Sequence, residues 1–154
     1  KQLIVQGVKE LPITDIKMTR FWITLDQAVE FVLKSFERMQ GGEIFVPKIP
    51  SIKITDLAKA MASQLKHKIV GIRPGEKLHE KMCSINEAHL TLDFKDHYVI
   101  QPSISFFDNN IKYSKNALNE EGKLVSKDFE YRSDNNNHFL SVQEIIKLSK
   151  DFFN

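Results

Sequence analysis

The sequence predicts an α/β fold, in the form of a small mixed sheet packed with helices. Two observations support this prediction. Strand-like apolar runs alternate with amphipathic helical segments through the first half of the chain, and the second half breaks into shorter units joined by polar loops. A parallel sheet of two or three strands is small for a free-standing domain. We therefore expect residues 1–154 to form a single unit that belongs to a larger α/β protein.

The helices are predicted from their start signals. Thr24 and Gln27 form a T-x-x-Q capping box at the start of the first clear helix. The apolar residues that follow at helical spacing are Ala28, Val29, Val32, Phe36 and Met39. A second helix is expected to open at Ile54 and to end at Lys66–His67, because cations are favoured in the last turn. The final helix is expected to begin at Ser141, with Glu144 completing a second capping box.

Strands are predicted where β-branched and aromatic residues concentrate between turn signals. The main predicted strands are Lys17–Thr24, Glu43–Pro47, Lys68–Ile72 and His97–Ile100. The stretch 109–128 is polar and is predicted as a loop.

The beginning of the chain also carries information. Lys1–Gln6 has the pattern of an amphipathic helix, and Gly7 is a favoured residue for ending it. A helix this short is marginal by itself. We therefore expect it to continue upstream, so that the sequence is the C-terminal part of a longer protein.

Composition narrows the class of protein. The chain has 154 residues, 42% of them hydrophobic and 27% charged, with a net charge of +2. This balance is typical of a globular protein and gives no basic stripe for nucleic acid. No apolar run approaches the ~20 residues of a membrane span. The single cysteine, Cys83, cannot form an internal disulfide, which fits a reducing cytoplasm.

The stretch 70–80, V-G-I-R-P-G-E-K-L-H-E, carries the main functional signal. Arg73 starts a tight Pro-Gly turn, and Glu76 follows three residues later. A planar guanidinium can donate two hydrogen bonds to phosphate oxygens, and a carboxylate accepts hydrogen bonds from ribose hydroxyls. The pattern fits half of a nucleotide site, and it also fits a surface turn with an ordinary ion pair.

Other polar side chains give weaker signals. His79 and Glu80 follow the turn, but no second cluster with ligand spacing accompanies them, so we predict no metal site. Cys83 is predicted to be a small buried side chain rather than a nucleophile. Phe21 and Trp22 are predicted to pack in the core rather than to stack on a base.

Six stretches, taken together and in order, carry a family resemblance. They are L-P-I-T-D at 11–15, M-T-R-F-W at 18–22, G-G-E-I-F-V-P-K-I-P-S at 41–51, K-I-T-D-L-A at 53–58, R-P-G-E-K-L-H-E at 73–80 and Y-R-S-D-N-N at 131–136. In these the chain resembles the C-terminal portion of extended Rossmann-type short-chain dehydrogenases/reductases acting on nucleotide sugars. It is most similar to the inverting UDP-N-acetylglucosamine 4,6-dehydratases, which begin pseudaminic acid biosynthesis for flagellin glycosylation.

The resemblance implies roles for five residues. Arg20 and Arg73 match positions that contact the diphosphate, and Glu76 matches the acid that faces the ribose. Thr14 and Asn135 match positions that line the sugar-nucleotide pocket. The implied reaction is oxidation at C4, loss of water across C5–C6 and reduction at C6 with inversion at C5.

The resemblance also implies a cofactor and partners. The cofactor is NADP, bound mainly by an N-terminal Rossmann half. The G-x-x-G-x-x-G turn and the Tyr-x-x-x-Lys pair of that half are absent from this sequence. We therefore assign no catalytic and no cofactor-binding residue here, and expect the chain alone to be inactive. The expected partners are UDP-N-acetylglucosamine, the N-terminal half and further copies of the protein in a homo-oligomer.

Two alternatives stay open. The first is a UDP-GlcNAc 4,6-dehydratase/5-epimerase of capsular polysaccharide biosynthesis, which only product analysis separates from the inverting enzyme. The second is a non-catalytic fragment, which binding of UDP by the chain would distinguish.

Overall fold

A computed structural model describes residues 5–104 and 111–149. The elements are β1 (Glu10–Ile13), β2 (Thr19–Phe21), α1 (Leu25–Arg38), β3 (Ile44–Pro47), β4 (Ser51–Lys53), α2 (Ile54–Met61), β5 (Lys66–Ile69), β6 (Lys81–Cys83), a 3₁₀ helix (Ile85–Leu90), β7 (Thr91–Asp93), β8 (His97–Ile100), β9 (Lys123–Leu124), β10 (Tyr131–Arg132) and α3 (Val142–Leu148). The chain divides into two compact units.

The first unit combines the described residues up to Trp22, the segment Ile49–Glu80 and the segment from Arg132 onward. Strand β1 pairs in parallel with β5, and β2 pairs antiparallel with β4. Two apolar clusters hold these pairs to the helices. One contains Leu11, Ile13, Ala58 and Ala62, and the other contains Ile52, Leu140 and Ile145.

The second unit combines Ile23–Lys48 with Lys81–Tyr131. Its sheet has four antiparallel strands in the order β3-β8-β7-β9. Leu92, Phe94 and Val99 are buried, and Phe45 and Tyr113 pack against them. The small mixed sheets with helices agree with the predicted α/β class.

Both predicted capping boxes are present. The Thr24 hydroxyl accepts from the Gln27 N–H, and the Ser141 hydroxyl accepts from the Glu144 N–H. Trp22 packs against the buried cluster of the first unit, and Cys83 is fully buried, as predicted for both. Burial raises the pKa of the Cys83 thiol to about 12, so it is a poor nucleophile. The predicted helix over 1–6 lies largely outside the described residues.

Several predicted boundaries are wrong. The second helix ends at Met61, and Lys66–His67 belong to β5 because their backbone pairs with β1. Strand β5 ends at Ile69, three residues before the predicted end at Ile72. Gly71 has a φ of +85°, which is incompatible with extended backbone. Strand β2 covers only Thr19–Phe21 of the predicted Lys17–Thr24. Pairing with β1 therefore decided that Lys66–His67 are a strand, and the conformation of Gly71 accounts for the end of that strand.

A buried arginine organises the second unit. Arg38, with 1% of its side chain exposed, ends α1. Its Nη2 donates to both carboxylate oxygens of Asp96 at 2.9 Å, and its Nε donates to Glu120 Oε2 at 2.7 Å. His97 is fully buried, and its Nδ1 lies 2.7 Å from Asp96 Oδ1. Burial raises the pKa of Asp96, but the hydrogen bonds to His97 and Arg38 outweigh it and lower this pKa to about 2.

This ion pair predicts a pH dependence of stability. The pKa of Asp96 in the folded protein lies below its usual value. The carboxylate therefore adds to the free energy of unfolding above about pH 4, and this contribution is lost as the pH falls toward 2. Because the carboxylate is 49% exposed, we expect a loss of only about 1 kcal/mol. Urea unfolding at about pH 5 and about pH 2 should show this loss for the wild type. Between these two pH values the Asp96→Asn variant should lose about 1 kcal/mol less stability than the wild type. An equal loss in both proteins would contradict the assignment of this pH dependence to Asp96.

Candidate functional site

The site is built on the turn from Arg73 to Glu76. The Glu76 N–H donates to the Arg73 carbonyl at 3.0 Å, which closes a four-residue turn. Pro74 and Gly75 occupy its centre, and Gly75 has a φ of +81°, as a type II turn requires. The Arg73 N–H donates to Glu76 Oε2 at 3.2 Å. The turn therefore fixes its own carboxylate beside the arginine.

Three of the predicted residues meet at this turn. Thr14, just after β1, donates its hydroxyl to Glu76 Oε1 at 3.4 Å. Glu76 is half-buried, whereas Arg73 is exposed. Among the described residues nothing accepts a hydrogen bond from the Arg73 guanidinium. The turn thus exposes the Arg73 side chain to solvent, and its own backbone and Thr14 hold the Glu76 carboxylate on two sides.

Arg20 supports the segment that follows the turn. Its Nη1 donates to the carbonyls of Thr19 at 2.7 Å and Leu78 at 3.2 Å, and its Nη2 donates to the Lys77 carbonyl at 2.8 Å. Its Nε lies 3.5 Å from Glu80 Oε1. These contacts position residues 77–80, and the predicted contact of Arg20 with a diphosphate stays a prediction.

Asn135 lies on an exposed loop of the same unit. Its Oδ1 accepts from the Arg132 N–H at 2.9 Å, so the side chain shapes its own loop. The hydrogen bond from Arg132 holds the pKa of the neighbouring Asp134 below its usual range. The role of Asn135 in lining a sugar-nucleotide pocket stays a prediction.

A buried polar network, which the sequence did not reveal, joins this loop to the turn segment. The Ser133 hydroxyl accepts from the Glu80 N–H at 2.9 Å and lies 2.7 Å from Thr19 Oγ1. Thr19 Oγ1 lies 2.8 Å from His79 Nδ1. Thr19 and Ser133 are buried. The only sequence signal was that all four residues fall in the stretches carrying the resemblance.

This network predicts a cost for removing its central hydroxyl. Ser133→Ala leaves the Glu80 N–H and the Thr19 hydroxyl without their buried partner, so we expect a loss of about 2 kcal/mol in the free energy of unfolding. Urea unfolding measures this loss. The exposed Ser63→Ala, in the same unit, is the matched control and should change stability little. Equal effects of both substitutions would contradict the role of the network.

Comparison with known proteins places this geometry in a family. Residues 1–102, more than half of the chain, match the family described as polysaccharide biosynthesis protein. The chain belongs to this polysaccharide biosynthesis family. The match includes β1, β2 and the Arg73 turn, which are the elements that carry Thr14, Arg20 and Glu76.

Individual relatives refine the comparison. This chain is 57% identical over 148 residues to the UDP-N-acetylglucosamine 4,6-dehydratase (inverting) of Campylobacter jejuni, covering 96% of the chain and 44% of the relative. It is 36% identical over 149 residues to the UDP-glucose 4-epimerase of Rickettsia canadensis, covering 94% and 42%. The chain thus spans less than half the length of these curated relatives.

A solved structure shares the fold. Pen from Bacillus thuringiensis superposes with a TM-score of 0.73 and 25% identity, over 98% of this chain and 44% of Pen. The α/β arrangement of this chain therefore matches that of one part of Pen.

Among the described residues, helices α1, α2 and α3 begin after Thr24, Lys53 and Ser141, and none of these three starts at a glycine-rich turn of the kind that binds a pyrophosphate. Residues 5–104 and 111–149 contain no His, Cys, Asp or Glu group that could hold a metal ion. Within the same ranges no helix is long and apolar enough to cross a membrane.

Proposed function

We propose that this chain is the sugar-nucleotide-binding part of an inverting UDP-N-acetylglucosamine 4,6-dehydratase. The observation that carries the proposal is the Arg73 turn, in which Arg73 is exposed and the Glu76 carboxylate is held by the Arg73 backbone N–H and the Thr14 hydroxyl. The 57% identity to the Campylobacter jejuni dehydratase supports the same substrate. The product would be a 4-keto-6-deoxy sugar nucleotide for pseudaminic acid and flagellin glycosylation.

The residues of this chain would bind and orient the substrate. The Arg73 guanidinium donates two parallel hydrogen bonds to diphosphate oxygens, and Glu76 accepts from ribose hydroxyls. Thr14 keeps the carboxylate in place, and Arg20 keeps residues 77–80 in place. Asn135 lines the pocket from its loop. Such positioning lowers the entropy cost of reaching the reactive geometry.

Cofactor chemistry would come from outside this chain. We assign no hydride step to the residues of this chain, because none of α1, α2 and α3 starts at a glycine-rich turn. The complete protein would hold NADP in an N-terminal Rossmann half and would act in the cytoplasm as a homo-oligomer.

Binding tests this proposal directly. The 154-residue chain, labelled with ¹⁵N, is titrated with UDP, UDP-N-acetylglucosamine and N-acetylglucosamine. We expect the two nucleotides to shift the amide signals of Arg73 and Glu76, and the free sugar to leave them unchanged. Equal shifts with all three ligands, or none with either nucleotide, would overturn the site.

Product analysis tests the reaction. The remainder of the Campylobacter jejuni dehydratase is fused ahead of this chain, and the fusion is incubated with UDP-N-acetylglucosamine and NADP. We expect a 4-keto-6-deoxy product with inverted C5 by NMR. Retained C5, or a mixture of C5 epimers, would favour the dehydratase/5-epimerase instead.

A further inference from the structure

Three side chains connect the segment that follows the Arg73 turn to the loop that follows β10. His79 Nδ1 lies 2.8 Å from Thr19 Oγ1, and Thr19 Oγ1 lies 2.7 Å from Ser133 Oγ. Ser133 Oγ also accepts the Glu80 N–H at 2.9 Å. All of these residues belong to the first unit. We call His79, Thr19 and Ser133 the hydroxyl network.

The number of protons in the hydroxyl network decides which imidazole nitrogen carries hydrogen. Thr19 and Ser133 are buried, and neither hydroxyl has a further acceptor among the described residues. If His79 Nδ1 accepts, the Ser133 hydroxyl donates to Thr19 and the Thr19 hydroxyl donates to His79, so both protons are used. If Nδ1 carries a proton, one of the two hydroxyls has no acceptor. An unpaired hydroxyl is costly in a buried site, so the structure favours an unprotonated Nδ1.

The other imidazole nitrogen lies near a carboxylate. His79 Nε2 is 3.7 Å from Asp134 Oδ2. Arg132 donates to both oxygens of the same carboxylate and so fixes its position. The negative charge favours a hydrogen on Nε2, and the hydrogen bond at one ring nitrogen sets which nitrogen is protonated. Both contacts therefore favour a neutral ring with its hydrogen on Nε2.

Backbone hydrogen bonds run beside the hydroxyl network. The Thr19 N–H donates to the Leu78 carbonyl at 3.1 Å, and the Ser133 N–H donates to the Glu80 carbonyl at 2.8 Å. The segment is thereby held between β2 and the loop after β10. His79 lies at the centre of this segment, and its Nδ1 is the acceptor at which the hydroxyl network ends. The ring therefore helps to hold the segment in place.

The segment and the loop adjoin two of the predicted ligand contacts. Glu76 lies three residues before His79, and Asn135 lies two residues after Ser133. We propose that His79, as a neutral ring with its hydrogen on Nε2, is a positioning residue of the sugar-nucleotide site. Its Nδ1 accepts from Thr19 and so fixes the turn that carries Glu76 relative to the loop that carries Asn135. This inference rests on the proposed function, which supplies the ligand.

The protonation of the ring is measured without ligand. The imidazole ¹⁵N signals of the 154-residue chain are recorded at about pH 8, where histidine side chains are ordinarily neutral. We expect an unprotonated Nδ1 in His79, and we expect Thr19→Val to move this signal because the donor is gone. His138 is exposed and makes no side-chain hydrogen bond to the described residues, so its signals should not respond. A protonated Nδ1 in His79, or an Nδ1 signal that Thr19→Val does not move, would overturn the proposal.

Two substitutions of similar shape test the positioning role. Both His79→Leu and His79→Asn remove the contact with Asp134, but asparagine keeps an acceptor oxygen near the Nδ1 position. Because a loosened site must be ordered on binding, we expect His79→Leu to weaken UDP-N-acetylglucosamine binding about tenfold. It should also speed amide exchange at Glu80 and Ser133 about tenfold. His79→Asn should stay within about threefold of the wild type in both measurements, and the control His138→Leu should change neither.

The outcomes separate this inference from the proposed function. Equal effects of His79→Leu and His79→Asn would overturn the positioning role, because the acceptor would then not matter. Faster exchange in His79→Leu with unchanged affinity would also overturn it, since His79 would then stabilise the segment without serving the ligand. If the wild-type chain does not bind UDP-N-acetylglucosamine, the proposed function fails. In that case a difference in exchange between the two variants still supports the positioning role, and equal exchange rejects it.

Discussion

Arg73→Ala is expected to weaken UDP binding by about 30- to 100-fold, since the substitution removes a pair of charge-assisted hydrogen bonds worth roughly 2–3 kcal/mol. Arg73 is exposed and makes no side-chain hydrogen bond to the described residues, so its removal should leave the fold intact. Calorimetric titration of the wild type and the variant with UDP measures the change.

Two control variants separate charge from geometry. Arg73→Lys keeps the charge but not the forked geometry and should recover only part of the affinity. Lys77→Ala removes an exposed cation from the same segment and should change affinity little, because only the Lys77 carbonyl contacts Arg20. Equal UDP affinity of the wild type and Arg73→Ala would show that Arg73 only helps to form the turn and does not bind the nucleotide. A matching loss for Lys77→Ala would indicate nonspecific attraction instead of a phosphate contact.

Arg38→Met should lower the free energy of unfolding by about 3 kcal/mol, the largest stability effect we expect from a single substitution. The guanidinium is fully buried, and it bridges Asp96 and Glu120. Methionine fills a similar volume but leaves two carboxylates facing each other without their cation. Urea unfolding monitored by circular dichroism provides the measurement.

Lys34→Met is the matched control for this substitution. Lys34 lies 3.8 Å from the same Asp96 carboxylate, but its side chain is 46% exposed. Ion pairs this exposed contribute at most about 1 kcal/mol. If the two variants lost the same stability, burial would not explain the importance of Arg38. The Lys34 variant also shows whether removing any positive charge near Asp96 is sufficient to destabilise the fold.

Local signals predicted part of this fold well. Both helix starts with capping boxes are found at Thr24 and Ser141, because a cap depends only on residues three positions apart. Strand ends were predicted less well. Lys66–His67 read as the end of a helix, yet they pair with β1, a strand more than fifty residues away in the sequence. Such pairing competes with local preference and cannot be read from a short window.

The candidate site also contains features that were predicted from the sequence and features that were not. The turn at Arg73 and its carboxylate Glu76 were predicted from R-P-G-E, because a Pro-Gly turn has few allowed shapes. The Thr19–Ser133 contact was not predicted, because its partners lie 114 positions apart and both are ordinary polar residues. The carbonyl partners of Arg20 were not predicted either, since backbone acceptors leave no trace in residue identity.

The α/β class, the two capped helices and the Arg73–Glu76 turn could all be predicted from residue order, because each depends on short-range spacing and backbone limits. The buried face of α1 could not be predicted in this way. The spacing of Val29, Val32 and Phe36 identifies an apolar stripe, but the structure leaves this stripe exposed and buries Arg38 instead. The physical reason is that the Asp96 and Glu120 carboxylates pair with Arg38 on the inner side. Which side of a helix faces its own sheet depends on partners that the helix sequence does not contain.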